Sequence, residues 1–153
     1  MKKLKLYFAH NFNNRKEYRE LELQLEKELD IELFNPFYDD DSRKEEMQEL
    51  DNRNTDATAR IKSFKNSFNR DEDDADIIVK RDLANLALQD GLITIVEKPS
   101  FGTTIEICNA VLMRKKIYFI SEVYVDHPWI KIYADYKFRN IEEFKNFVKK
   151  GNK

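Results

Sequence analysis

Residues 90–106 read D-G-L-I-T-I-V-E-K-P-S-F-G-T-T-I-E: an apolar, β-branched run, a loop of small residues, and the start of a helical pattern. Backbone N–H groups at a helix start have no partner within the helix and attract anions. Ser100 adds a hydroxyl donor at that point, and Gly102 lets the backbone come close to a ligand. Glu106 falls near the mouth of the loop, in the early part of the helix, where the positive helix end favours its ionised form. The stretch therefore reads as an anion-attracting loop beside an ionised carboxylate. The same spacing has a structural reading. Thr103-Thr104-Ile105-Glu106 is an S/T-x-x-E capping box, in which the glutamate only reaches back to a backbone N–H. Spacing alone favours the cap, because such boxes are common.

Other side chains carry weaker signals. His10 and Asn11 follow a first strand pattern, at the strand end where ligands sit in an open α/β sheet, and are candidate substrate contacts. Asp39-Asp40-Asp41 and Asp71-Glu72-Asp73-Asp74 lack the loop glycine and ligand alternation of a calcium site and read as solvated acidic faces. Cys108 lies inside an apolar helical pattern and reads as core. Trp129, in His127-Pro128-Trp129, reads as a packed aromatic after a turn-forming proline.

These side chains need a scaffold, and hydrophobic periodicity predicts one. Residues 4–9 (LKLYFA) read as a first strand, and Tyr18, Leu21, Leu25 and Leu29 fall at helical spacing over residues 14–29. Residues 31–37 read as a second strand stopped near Pro36, and residues 75–89 suit a buried helix. Residues 91–96 alternate little, as in a strand covered on both faces. A helix over 103–113, a strand over 116–121, a fifth strand near 136–139 and a helix over 141–148 complete the alternation. Such an order predicts an α/β domain with a mostly parallel sheet. Residues 39–76 hold 13 acidic and seven basic side chains, and Ile61, Phe64 and Phe68 share a helical face, so this stretch reads as an acidic, partly helical insertion in one domain.

Composition bounds the function. The 153 residues carry 27 basic and 29 acidic side chains, a net charge of −2, which lacks the electrostatic footprint of a nucleic-acid polymer binder. One cysteine excludes an internal disulfide and points to a reducing, cytoplasmic setting. The apolar run at the N-terminus is short and broken by Lys5 and His10, so neither a signal peptide nor a membrane span is expected.

Gly102-Thr103-Thr104-Ile105-Glu106, with Ala110 and then Lys115-Lys116 before a strand, resembles the nucleoside 2-deoxyribosyltransferase family. Leu6-Tyr7-Phe8-Ala9 is similar to that family's first strand, and Asp82 sits where its members carry an aspartate one helix before the third strand. The likeness implies a flavodoxin-like, Rossmann-like doubly wound fold with a five-stranded sheet and helices on both faces. It implies transfer of 2-deoxyribose between nucleobases by double displacement, with 2′-deoxynucleosides and free bases as partners and neither metal nor organic cofactor. On this reading Glu106 is the nucleophile, Tyr7 orients it, and Asp82 binds the base and protonates it as it leaves. Gly102 and Thr103 would contact substrate, and His127 lies where the family completes a neighbouring subunit's site, so a homo-oligomer is expected. Phe12, Phe34, Phe37 and Tyr38, near strand ends, could stack a nucleobase or simply pack.

The chain departs from the family at two places. Some transferases carry an aspartate where Ser100 stands, and Pro99-Ser100-Phe101-Gly102 looks more like the related deoxynucleoside 5′-monophosphate N-glycosidases, whose serine contacts the phosphate. The sequence ends Lys150-Gly151-Asn152-Lys153 where some transferases offer an aromatic residue. Hydrolysis of a deoxynucleoside monophosphate and non-catalytic nucleotide binding are the alternatives.

Overall fold

The computed structural model describes residues 2–40 and 71–151, with the side chains of 71–75 excepted. The elements run β1 (Leu4–Ala9), α1 (Arg15–Glu28), β2 (Ile31–Phe34), α2 (Asp71–Ala87), β3 (Gly91–Ile95), α3 (Phe101–Leu112), β4 (Lys116–Ile120), α4 (Pro128–Tyr133), β5 (Tyr136–Phe138) and α5 (Ile141–Lys149). All four strand pairings are parallel, in the order β2-β1-β3-β4-β5. This is the doubly wound, flavodoxin-like arrangement expected from the alternation of elements. The partly helical reading of the acidic stretch lies mostly outside the described residues; its last residues begin α2.

Each face of the sheet has its own core. Leu6, Phe8, Ile93, Tyr118 and Ile120 pack with Tyr18, Leu25 and Phe144 on the side of α1 and α5. Tyr7, Ala9, Leu92, Ile117 and Phe119 pack with Leu86 and Ala110 on the side of α2 and α3. Side-chain alternation along β1 therefore sends Tyr7 and Phe8 into opposite layers. Gly91 permits the close pairing of β3 with β4: a Cβ built there would lie 2.5 Å from the Lys116 carbonyl oxygen.

Helix ends account for most boundary differences. Ser100 is extended (φ −130°, ψ 152°) and its hydroxyl accepts from the Thr103 N–H at 3.4 Å, so α3 begins at Phe101. Thr103 is therefore inside the helix and the expected Thr103–Glu106 capping box does not form. A related pairing is made at α5, where Asn140 accepts from Glu143 N–H at 3.0 Å and Glu143 accepts from Arg139 N–H at 2.8 Å. Helix α3 closes with the Arg114 N–H on Val111 O and the Lys115 N–H on Ala110 O, a Schellman arrangement that puts Arg114 in the left-handed region (φ 58°). The second strand stops at Phe34, three residues short of the expected end, because the chain turns at Asn35: both Tyr38 N–H and Asp39 N–H bond the Asn35 carbonyl.

Three burial expectations are overturned. Cys108 is exposed, since the buried side of α3 is marked by Thr103 and Ala110 and Cys108 falls off it. Trp129 is 66% exposed; among the described residues it stacks on Tyr133 of the same short helix, at 5.8 Å. Asp39 and Asp40 are not a solvated face: Asp39 accepts from Asn35 N–H at 2.8 Å and pairs with Arg19, and buried Asp40 lies 3.1 Å from Arg81 Nε. Among the described residues no helix is long and apolar enough to cross a membrane.

Candidate active site

Strand order reverses between β1 and β3, and a doubly wound sheet opens a crevice at the carboxyl ends of the strands flanking that switch. A cavity of about 690 Å³ lies there. The loop after β1 supplies His10, Asn11, Phe12, Asn13 and Asn14; Phe37 follows β2; α2 supplies Ile78 and Asp82. The β3–α3 connection adds Glu97, Lys98, Pro99 and Ser100, and α3 adds Phe101, Gly102, Thr103 and Glu106.

Glu106 is placed by helix geometry. It lies four residues after Gly102, and helical side chains lean toward the N-terminus over the preceding turn. Its Oε1 sits 3.9 Å from where a Gly102 Cβ would be, and its Oε2 is buried. A Cβ at 102 would be in ordinary van der Waals contact with Oε1, which shows the carboxylate folded back toward the helix start. The first turn of α3 carries no acid, and Glu106 stands one turn further in. Asp82 reaches the same cavity from α2, half-buried, with Oδ1 inaccessible to solvent. Its neighbours on the helix are engaged elsewhere, Lys80 with Asp76 at 2.6 Å and Arg81 with Asp40.

His10 is buried among Phe8, Tyr18 and Phe37, with ring centroids 4.9, 5.0 and 5.0 Å away. Burial lowers its pKa to about 4, so the ring is neutral near pH 7. Its Nδ1 lies 2.8 Å from the Asn11 carbonyl, which only accepts, and this assigns the proton to Nδ1. Thr103 lines the cavity, but its Oγ1 is buried away from solvent, without a hydrogen-bond partner among the described residues.

Seven of the nine sequence candidates, Glu106, Asp82, Ser100, Gly102, Thr103, His10 and Asn11, line this one cavity. Tyr7 does not: it is fully buried beneath, on the sheet face covered by α2 and α3, its ring 6.0 Å from Phe34. His127 lines an adjoining, largely apolar cavity of about 530 Å³ between α3 and α4, with Trp129 and Tyr133, which shares Pro99, Ser100 and Thr103 with the first. Of the aromatics, Phe12 and Phe37 reach the wall. Lys98 and Ile78 are wall residues that the sequence reading left unassigned; the lysine two residues before Ser100 was a usable signal for an anion. Among the described residues no group of three or more His, Cys, Asp or Glu side chains could hold a metal.

Fold and cavity together define a doubly wound α/β domain with three carboxylates, Asp82, Glu97 and Glu106, and a helix N-terminus at its switch point. No family model matches the chain, and no curated protein matches it in sequence. Among solved structures it is similar to the 2-deoxyribosyltransferase of the psychrotolerant bacterium Bacillus psychrosaccharolyticus. The TM-score is 0.61 over 93% of this chain and 90% of that one, at 16% identity. The two chains share a fold.

Proposed function

We propose that this chain is a nucleoside 2-deoxyribosyltransferase. One observation carries the reading: Glu106 folds back over Gly102 into a cavity that Asp82 also lines, so a carboxylate and a second acid face one bound molecule. A carboxylate so placed can attack C1′ of a deoxynucleoside. The C1′–N bond breaks, its electron pair goes to the base, and Asp82 supplies the proton. The glycosyl–Glu106 ester then takes a second base at C1′, whose N–H proton returns to Asp82; the carboxylate and the original anomeric configuration are restored. Without a 2′-hydroxyl the positive charge developing at C1′ is less destabilised, which suits a deoxy sugar. In this reading Tyr7, buried on the sheet face that α2 and α3 cover, orients Glu106 through its hydroxyl. Phe12 and Phe37 offer faces for the base.

Hydrolysis of a deoxynucleoside 5′-monophosphate is the second reading, favoured by Lys98 and Ser100 on the wall beside the α3 N-terminus. The Ser100 oxygen already accepts from Thr103 N–H, and its hydroxyl hydrogen remains for a phosphate oxygen. The chemistry up to the glycosyl-enzyme is the same, with water as acceptor.

The test incubates pure protein with deoxyinosine or thymidine, with and without adenine, and separates the products. Deoxyadenosine formed by the wild type and lost in Glu106→Ala supports transfer. Free base from the 5′-monophosphates alone supports the hydrolase. Silence on every deoxy substrate from folded protein sinks both readings.

A further inference from the structure

Behind the wall formed by His10 and Phe37 lies a carboxyl that the proposed reaction does not use. Glu22 of α1 is 0% exposed. Its Oε2 accepts from Asn35 Nδ2 at 2.8 Å and its Oε1 from Arg19 at 2.8 Å; the same Arg19 nitrogen reaches Asp39 Oδ1 at 2.9 Å. Asn35 passes the connection on, since its Oδ1 accepts from Phe37 N–H at 3.0 Å. Asp39 closes the turn through Asn35 N–H, and Asp40 beside it pairs with Arg81, the residue next to Asp82. One buried acid thus sits at the root of a chain of bonds that ends at the aromatic wall on one side and at the Asp82 helix on the other.

We propose that Glu22 is a positioning residue for the cavity: through Asn35 and through the Arg19 nitrogen it shares with Asp39, its buried carboxyl holds the turn that sets Phe37 against His10 and fixes Asp40 on Arg81. Burial pushes the Glu22 pKa up to about 8, Asp39 adding to the rise, while Asn35 and Arg19 oppose it. The charged groups facing it are Arg19 from α1 and Asp39 from the turn, both of which Glu26 also acts on, with neutral His10 across Asn35. Glu22 and Asp39 meet on the same Arg19 nitrogen, and a protonated Glu22 leaves that cation to Asp39. Losing that proton sets two carboxylates against each other over one guanidinium, and the turn loosens.

The inference rests on the transferase reading only for its kinetic arm. The chain has two histidines, so the His10 ring signals in a ¹H–¹³C NMR spectrum of the whole protein are readily distinguished. They report the wall without any substrate. The wild type should show a transition near pH 8 in those signals, absent in Glu22→Gln, which mimics the protonated form. In base exchange, wild-type kcat/KM should fall about tenfold per pH unit above that point, Glu22→Gln should stay flat, and Glu22→Ala should raise KM more than it lowers kcat. A His10 transition that persists in Glu22→Gln, or none in the wild type, overturns the proposal. The transition without any exchange activity supports the wall-fixing role and overturns the transferase reading.

Discussion

Glu106 illustrates how one side chain acquires a role that its spacing alone does not grant. As a capping glutamate it would point its oxygens at a backbone N–H; Ser100 takes the cap instead, and Glu106 leans over Gly102. Replacing it with Ala should lower exchange by at least about 10³-fold with folding intact, measured by turnover alongside thermal unfolding. Mass spectrometry of quenched wild-type reactions should find a deoxyribosyl adduct on the peptide that holds Glu106. Asp82→Asn should cost about 10²-fold or more on bases that need a proton to leave, and far less on a base that leaves as a stable anion. Equal losses on both would remove Asp82 as the acid.

Elements matter here chiefly by where they end. Ser100→Ala removes the α3 cap and should destabilise the protein by about 1 kcal/mol, read as a lower denaturation midpoint. Two helix ends make opposite predictions. Arg114 holds a left-handed backbone (φ 58°) without glycine, and Arg114→Gly should raise stability by up to about 1 kcal/mol. Gly151 holds φ 73° after α5, with its N–H on Val148 O, and Gly151→Ala should lower it by a similar amount, about 1 kcal/mol. Equal and same-signed shifts would contradict the account of both ends.

The whole molecule should show a broad optimum of stability in mildly acidic solution. Burial depresses His10 from 6.5 to about 4, so its contribution is present above 6.5 and is lost as pH falls toward 4, about 3 kcal/mol in all. Glu22 is raised from 4.5 to about 8, so its contribution is present below 4.5 and is lost as pH climbs toward 8, on the order of 5 kcal/mol. Urea denaturation across this range should give a curve falling on both sides. Glu22→Gln should flatten only the alkaline side; a curve unchanged in that variant would remove Glu22 as its cause.

Period and punctuation made the sheet legible in advance. The residue 4–9 strand is predicted to the residue, since an apolar run bounded by a polar loop leaves little choice of ends. The α3 start is missed by two residues, because a serine and a threonine three apart are both good caps and only the backbone decides between them. Of the site, the loop and acid near residues 100–106 are readable because they are contiguous. What no local pattern contains is the meeting of residues far apart in sequence. Glu22 reads as one more charge on a solvated helix face, yet its helix packs that face against Asn35 and Asp39, and burial there changes its chemistry. Strand order, likewise, is set by how the layers pack, and it is strand order that brings Asp82, Glu106 and His10 to a single cavity.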